Sequence, residues 1–231
     1  NEWTPADSHR SRAVRTQITE TLERAGIRVV RHREVIPGIC AFTLRHRPLL
    51  DACDKLVVAK YAIARICEHQ KFLVEFLPTM PWVADKTAGL NLHVSLWGGG
   101  KPLFYNPVTA GFTAMATMIF NGILSRAPAL ATIVAPSLAP GMAELGLRMP
   151  HDLGDRKARR IAISVPDPSA NPYLASSAIL AAGLSGKSGG EIIGRSEIRT
   201  PLFPERKAMV ADRAFLRAGD IFSEATLRAL T

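Results

Sequence analysis

The stretch of sequence that decides the fold runs from Val165 to Leu184, with VPDPSANPYL at 165–174 and AILAAGL at 178–184. Asn171 is a residue type favoured at a helix N-cap, and Pro172 suits the first helical position because it has no backbone N–H to leave unpaired. The sequence therefore predicts a helix of small residues from Pro172 to Leu184. The alternating segment from Arg160 to Val165 predicts a strand before it.

On either side of this stretch, apolar periodicity predicts elements that mix without regular alternation. Apolar residues at every fourth position predict a helix from Pro5 to Ala25, which Gly26 caps, and a broad apolar stripe predicts another from Leu49 to His69. The nearly uncharged segment Val108–Ala135 predicts buried helices. Asp212–Leu230 predicts further helical structure at the end of the chain.

Short apolar runs predict the remaining strands, at Ile27–His32, Cys40–Leu44, Phe72–Leu77, Leu90–Leu96 and Leu145–Met149. Pro37 and Gly38 predict a tight connection that makes the first two of these a hairpin-like pair. The class is therefore α+β, a mainly antiparallel sheet flanked by helices. A length of 231 residues with 47% apolar content fits a single domain over residues 1–231.

The cellular compartment is indicated by what the chain lacks. No apolar run approaches the roughly 20 uncharged residues that a membrane helix needs, and residues 1–10 are polar rather than signal-like. Cys40, Cys53 and Cys67 fit neither a CxxC metal pair nor a secreted disulfide framework, so we expect reduced thiols within the core. We expect a cytoplasmic protein with no membrane partner.

The net charge of +9 includes one dense basic run, Arg156–Arg160. Such a run could attract phosphates or nucleic acid. No recognition motif or aromatic stacking platform accompanies it, however, and aromatic residues make up only 6% of the chain. A nucleic-acid partner is therefore not expected, and the run is interpreted as a solvated or subunit-facing loop.

Common catalytic motifs are absent, since the chain has no GxSxG, Walker loop, HExxH or paired CxxC. Two glycine-rich segments, Gly98–Lys101 and Ser185–Gly190, superficially resemble phosphate-binding loops. Both lack the spacing that a Walker loop requires, so both are interpreted as turns.

The stretch at 165–184 resembles the R-x-PD-x-x-ANPYL…AAxLAAGL signature of glutamine synthetases. HVSLW at 93–97 resembles the end of that family's GSGMHVHxSLW strand, and NGIL with APAL at 121–130 resembles its AGLLxHAPAL helix. LERAGI at 22–27 and HREVIPG at 32–38 resemble its LExxGI…xHEVAPGQxE region. The motifs occur in family order over nearly the whole chain. A counterpart of the family's N-terminal β-grasp domain is missing, so the resemblance implies that this chain alone could not assemble the shared active site.

The resemblance implies the ligase chemistry of nitrogen metabolism, in which ATP phosphorylates glutamate and ammonia then displaces the phosphate. Divalent metal ions neutralise the phosphate charge in such a reaction. Three matched positions retain the family's residue: Glu34 at a metal-binding glutamate, His93 at a substrate-side histidine, and Arg148 in the arginine of the IRIP motif.

Four matched positions carry a different residue. Ala41 stands at a metal-binding glutamate, Asn91 at a metal-binding histidine, Ala162 at another metal-binding glutamate, and Ser164 at a substrate-binding arginine. Alanine offers no donor atom, and an amide is a weak neutral substitute for imidazole. The family's NSYKRL stretch, with its glutamate-binding arginine, is also deleted near residues 135–141. The resemblance therefore gives no confident catalytic residue, leaves Glu34 as a weak candidate metal ligand, and implies no cofactor.

The retained residues also have ordinary structural interpretations. Glu34, next to Arg33, is interpreted as a salt-bridged strand residue rather than a ligand. His93, on an alternating strand, is interpreted as a hydrogen-bonded residue inside or beside the sheet.

Three functional hypotheses follow from the resemblance. The first is a catalytically inactive or strongly altered glutamine-synthetase-like protein, a pseudoenzyme that serves as a partner or regulatory subunit. The alternative is an ATP-dependent glutamate–ammonia or glutamate–amine ligase subunit, which would use Mg or Mn and complete its site with another chain. The third is a truncated gene product. We expect a homo-oligomer or a complex with a full-length glutamine synthetase homologue, with Ile39, Ala41 and Phe42 contributing to the interface or filling the vacated site.

Overall fold

The computed structural model describes residues 5–36, 38–78, 89–137, 143–150, 159–165, 167–187, 197–202 and 206–230. These residues form two compact units, Asn1–Phe76 and Leu77–Thr231, and each unit has a core of its own. The sequence-based interpretations of residues 156–158 in the basic run and of residues 188–190 lie outside the described part of the chain. The single domain over 1–231 stays a prediction.

The first unit is a β-hairpin with two helices. Helix α1 covers Pro5–Arg24, strands β1 and β2 cover Val29–Ile36 and Ile39–Leu44, and helix α2 covers Leu49–His69. The two strands pair antiparallel, and Gly38 adopts a φ of +80° in the turn between them. The hairpin and both helix assignments made from the sequence are confirmed, because each depends on local periodicity and on turn residues that are adjacent in the chain.

The core of the first unit lies between the two helices and one face of the hairpin. Its buried members are Ile18, Leu22, Ile27, Ala59 and Cys67. The predicted strand at Phe72–Leu77 is wrong, because these residues are described without any strand pairing. Phe72 and Val74 instead pack against this core, so the alternation reflects one-sided burial of an extended segment.

The second unit contains a four-stranded antiparallel sheet. Its strands are β3 (Leu90–Val94), β6 (Ala143–Arg148), β7 (Ile161–Val165) and β8 (Glu197–Leu202), in the order β3-β7-β6-β8. Two shorter strands, β4 (Trp97–Gly98) and β5 (Lys101–Pro102), form a separate hairpin. The antiparallel pairing of every strand confirms the predicted fold class.

Helices cover one side of this sheet and contribute most of the core. They are α3 (Ala114–Ser125), α4 (Ala127–Val134), α5 (Pro172–Leu184), α6 (Arg206–Ala211), α7 (Ala214–Arg217) and α8 (Glu224–Leu230), with a 3₁₀ turn at Ala218–Asp220. Helix α5 has the predicted bounds, and the Asn171 side chain accepts hydrogen bonds from the backbone N–H groups of Tyr173 and Leu174. In the described residues no single helix is long and apolar enough to cross a membrane; only α3 and α4 together pass that test, as a pair bent by 73°.

Strand β8 and helix α6 of the second unit were not predicted, and neither were the short strands β4 and β5. Strand β8 has the sequence EIRTPL, in which Pro201 and the lack of clear alternation hide the strand signal. Proline is tolerated there because β8 lies at the edge of the sheet, where one side of the strand needs no hydrogen-bond donors. Helix α6 is only 6 residues long and has no capping signal in its sequence.

The glycine-rich segment at 98–101 is the predicted turn, because it connects β4 to β5. Gly99 and Gly100 have φ values of +56° and +73°, which favour glycine.

Two other expectations are wrong. Cys40 is exposed, whereas Cys53 and Cys67 are buried as expected. Arg159 of the basic run is also buried rather than solvated, and the subunit-facing alternative for the run stays a prediction.

The burial of Arg159 has a local cause. Its side chain is only 7% exposed, and its guanidinium donates to the carbonyl oxygens of Ala110, at 2.8 Å, and of Pro150, at 3.3 Å. It also lies 5.2 Å from the centre of the Phe112 ring. The arginine therefore links two loops through their carbonyl oxygens.

Candidate functional site

The sheet of the second unit has one apolar and one polar face, because successive side chains of a strand point to opposite sides. The apolar face packs against the helices through Leu90, Leu92, Val94, Leu145, Leu147, Ile161, Ile163 and Ile198. We call the opposite side the polar face, and it carries Asn91, His93, Gly146, Arg148, Ala162 and Ser164. All the positions matched to the glutamine synthetase site in this unit therefore share one face.

These positions form two adjacent rows across three strands. In one row, Ala162 of β7 pairs with His93 of β3 and with Arg148 of β6. In the next row, Ser164 pairs with Asn91 and with Gly146. Residues directly opposite in an antiparallel pair have Cβ atoms about 4.5–5.5 Å apart. The strand register thus brings together residues that are up to 73 positions apart in the sequence.

The second row is closed by a hydrogen bond between two substituted positions. The Ser164 hydroxyl donates to the Asn91 Oδ1 atom, with 2.9 Å between the oxygens. Gly146 leaves room beside them, since a Cβ atom there would lie 3.2 Å from the Ser164 Cβ. The amide oxygen that could have served as a weak ligand is therefore already an acceptor within the sheet.

His93 is the titratable group of the first row. Partial burial lowers the pKa of its imidazole, and the positive charges of Arg160 and Arg148 lower it further. Protonation would add a third positive charge beside two arginines, so the neutral form is favoured at physiological pH. A neutral imidazole is a possible metal ligand, but Ala162, directly opposite, offers no donor atom.

In the first unit, Glu34 is engaged by groups of the protein itself. Its Oε2 atom lies 3.2 Å from Nη1 of Arg15, and the two side chains are only 16% and 11% exposed. Its Oε1 atom accepts a hydrogen bond of 3.0 Å from the backbone N–H of Gly38. Glu34 is thus a salt-bridged strand residue, but its partner is Arg15 of α1 and not its neighbour Arg33.

The hairpin register separates two positions that the resemblance treats as ligands of the same kind. Glu34 pairs with Cys40, whereas Ala41 pairs with Arg33. Because adjacent residues of a strand point to opposite faces, Glu34 and Ala41 lie on opposite faces of the hairpin. A carboxylate at 41 would therefore point away from Glu34 within this hairpin.

Phe42, which the sequence marked as a candidate interface residue, lies on the same face as Glu34. It packs against the core of the first unit and stacks on His32, with 6.1 Å between the ring centres. Ile39 and Ala41 are half-buried.

In the described residues no three His, Cys, Asp or Glu side chains come together as a metal site would require. The side chains at the matched positions do not fit a divalent metal ion, which needs several oxygen or nitrogen donors at short range.

Sequence reasoning missed one buried ionisable group, Asp167 of the VPDPSANPYL stretch. Its carboxylate is fully buried and accepts hydrogen bonds from the backbone N–H and the hydroxyl of both Ser137 and Ser169, at 2.6–2.8 Å. Burial acts to raise the pKa of Asp167, but these hydrogen bonds outweigh it and the pKa lies below its ordinary value. The serine two residues after Asp167 was a usable signal, since aspartate commonly bonds the backbone two residues on. Ser137 is 30 positions away in the sequence, so no sequence signal related it to Asp167.

The sequence profile of the family described as "Glutamine synthetase, catalytic domain" matches residues 2–140 and 144–194. A glutamine synthetase of Frankia alni is 32% identical over 248 residues, covering 91% of this chain and 52% of that protein. A glutamine synthetase of Nostoc sp. (strain PCC 7120) is 32% identical over 203 residues, covering 79% of this chain and 42% of that protein.

The fold is also that of a solved member of the family. The cryo-EM structure of Plasmodium falciparum glutamine synthetase superposes with a TM-score of 0.77 at 19% identity, covering 94% of this chain and 57% of that one. The chain thus spans about half the length of the curated relatives it matches. On the extent of the profile match, the chain belongs to the glutamine synthetase catalytic-domain family.

Proposed function

We propose that this chain is a glutamine-synthetase-family domain that does not carry out the family's ATP-dependent amide-forming reaction and acts as a partner or regulatory subunit. The observation that carries the proposal is the composition of the polar face. Asn91 and Ser164 satisfy each other there, and Ala162 places a methyl group directly opposite His93. A face built in this way offers one imidazole where the family's reaction needs a set of metal ligands.

The magnitude of the expected loss supports the same conclusion. Removing a single preorganised group that stabilises transition-state charge typically costs about a hundredfold in rate or more. Here three positions matched to metal ligands carry Ala41, Asn91 and Ala162, and the carboxylate of Glu34 is held by Arg15 and Gly38. Metal-assisted phosphoryl transfer to glutamate has no anchored cation to neutralise the phosphate charge.

A ligase subunit that completes its site with another chain is a second candidate. It is favoured by His93 and Arg148, which lie in the same row on either side of Ala162 and are exposed on the polar face, where another chain could reach them. ATP and Mg or Mn would be cofactors only in this case.

The proposal includes a protein partner, either a second copy or a full-length homologue, in the cytoplasm. Helix α2 supports it, because it exposes apolar side chains along one face: Leu50 at 68%, Val57 at 42%, Val58 at 48% and Tyr61 at 68%. These four positions follow the spacing of a single helix face. Asp54 lies within this face, and exposed apolar side chains grouped around it favour an interaction site.

Phosphate release tests the proposal. The purified chain is incubated with ATP, glutamate, ammonia and Mg²⁺ or Mn²⁺, alone and mixed with a full-length glutamine synthetase. We expect no metal-dependent release by the chain alone, and any change in release by the mixture should be the same for the wild-type chain and for a His93→Ala variant. Release by the chain alone that is abolished in a His93→Ala variant would overturn the proposal. Added release in the mixture that the same variant abolishes would establish the ligase-subunit alternative.

A further inference from the structure

A small polar network joins α1 to both strands of the hairpin. The Nη1 atom of Arg15 donates to Oε2 of Glu34 at 3.2 Å, to the hydroxyl of Ser11, and to Sγ of Cys40 at 3.8 Å. The Ser11 hydroxyl lies 3.7 Å from the same sulfur. Glu34 and Cys40 are paired across the strands, so one guanidinium contacts the hairpin on both β1 and β2.

The charge at this point is fixed. Arginine stays protonated at every pH at which proteins fold, so its guanidinium is a permanent cation. Glu34 is the carboxylate of the hairpin that matches a metal-binding glutamate of the family. Its side chain is about as buried as that of Arg15. A largely buried carboxylate requires a compensating positive charge, because removing an ion from water is costly unless it is paired and hydrogen-bonded.

We propose that Arg15 is a built-in replacement for a divalent cation at Glu34. The guanidinium supplies the positive charge, the N–H of Gly38 satisfies the second carboxylate oxygen, and the first unit thereby folds independently of metal. The inference rests on the proposed function in taking Glu34 as a former metal position. Its test measures folding and metal response and not catalysis, so the two can fail separately.

The exclusion of metal follows from the same geometry. A divalent ion entering beside Glu34 would have to displace the guanidinium, which is covalently part of the protein and held by three acceptors. It would also meet the repulsion of that charge at short range. Neither Ser11 nor Cys40 could offset this cost by binding the ion, because a neutral hydroxyl and a single thiol are weak ligands for Mg²⁺.

A double-mutant cycle tests the pairing. The variants are Arg15→Met, Glu34→Gln and the two combined, with Arg33→Met as the matched control, since Arg33 is an exposed arginine on the other face of β1. Each single variant should lower the midpoint of thermal unfolding by about 5 °C or more, and the control by much less. In urea, the combined loss in the folding equilibrium constant should be about tenfold smaller than the product of the single losses. Independent effects of the two substitutions would overturn the proposal.

Metal titration tests the replacement. Mn²⁺ in the millimolar range should shift the unfolding midpoint of the wild-type chain no more than it shifts that of Glu34→Gln. It should raise the midpoint of Arg15→Met more than that of the double variant, because an external cation then takes the place of the lost guanidinium. The proposal is wrong if Mn²⁺ raises the unfolding midpoint of the wild-type chain more than that of Glu34→Gln. It is also wrong if Mn²⁺ raises the midpoints of Arg15→Met and of the double variant equally. Should Arg15→Met fail to fold, recovery of folding in the double variant would support it, and failure of both would contradict it.

Discussion

Ser164 and Asn91, which stand at two substituted positions of the family's site, form a hydrogen bond to each other across strands β7 and β3, with 2.9 Å between Oγ and Oδ1. The side chains at two positions that the family resemblance matches to a substrate-binding and a metal-binding residue therefore satisfy one another. Hydrogen-bonding groups on this face need partners, and the pair supplies them.

The first prediction concerns metal binding by the wild-type chain. Calorimetric titration with Mg²⁺ or Mn²⁺ should give no saturable site, because Ala41, Asn91 and Ala162 remove donors at three matched positions. Glu34→Ala should leave the titration unaltered. A stoichiometric site of micromolar affinity in the wild-type chain would contradict the prediction.

The same face offers a converse test. Replacing both Asn91→His and Ala162→Glu would add an imidazole and a carboxylate beside His93, because residue 162 is directly opposite 93 and residue 91 is two positions along the same strand. We expect this double variant to bind Mn²⁺ measurably where the wild-type chain does not. Equal titrations for the two proteins would show that the substitutions are not what prevents metal binding.

Asp167 should contribute to stability in a pH-dependent way. Asp167→Asn replaces one carboxylate oxygen with an N–H₂ group, which then faces two of the four donors, and should cost about 1–3 kcal/mol in the free energy of unfolding at pH 7. Asp51→Asn is the control, since the Asp51 carboxylate forms a surface ion pair with Arg47.

The sign of the pH effect follows from the lowered pKa of Asp167 in the folded state. Protonation favours the unfolded chain, so the stabilisation is fully present above about pH 4 and is lost as the pH falls through the folded-state pKa. Urea unfolding of the wild type and of Asp167→Asn should therefore converge in acid. Curves that stay parallel down to low pH would contradict this assignment.

Gly122 should be intolerant of any side chain. A Cβ atom there would lie 2.5 Å from the carbonyl oxygen of Ala182 and 2.9 Å from the backbone nitrogen of Gly186, because α3 and α5 touch backbone to backbone. Gly122→Ala should lower the free energy of unfolding by about 1–3 kcal/mol or more. Gly98→Ala is the control, since its Cβ would make only an ordinary contact of 3.4 Å with Leu103. Similar losses for both variants would refute the packing argument.

Assembly and folding should respond to different residues of the first unit. Phe42→Asp places a charge against the core and should destabilise the fold by roughly 2–4 kcal/mol. Tyr61→Asp alters the exposed face of α2, and should reduce the molar mass seen by light scattering without lowering the unfolding midpoint. Dissociation by Phe42→Asp without loss of stability would instead place Phe42 in an interface.

The sequence by itself determined the elements whose signals are local. The bounds of α2 and α5 follow from apolar periodicity and from the cap at Asn171, and the hairpin turn follows from Pro37-Gly38. The motifs also identified the positions matched to the family's site, because each position can be aligned with one residue of a family signature. Local signals failed where burial was one-sided, as at Phe72–Leu77, and where a proline occupied an edge strand, as in β8.

Only the tertiary structure decided which side chains meet. Arg15 lies 19 positions before Glu34, and Ser137 lies 30 positions before Asp167, so no periodicity relates them. The strand register, which depends on packing along whole strands, placed Glu34 and Ala41 on opposite faces and brought Asn91 and Ser164 into contact. Periodicity specifies which face of an element is buried, whereas the partners across that face are selected by the packing of the whole unit.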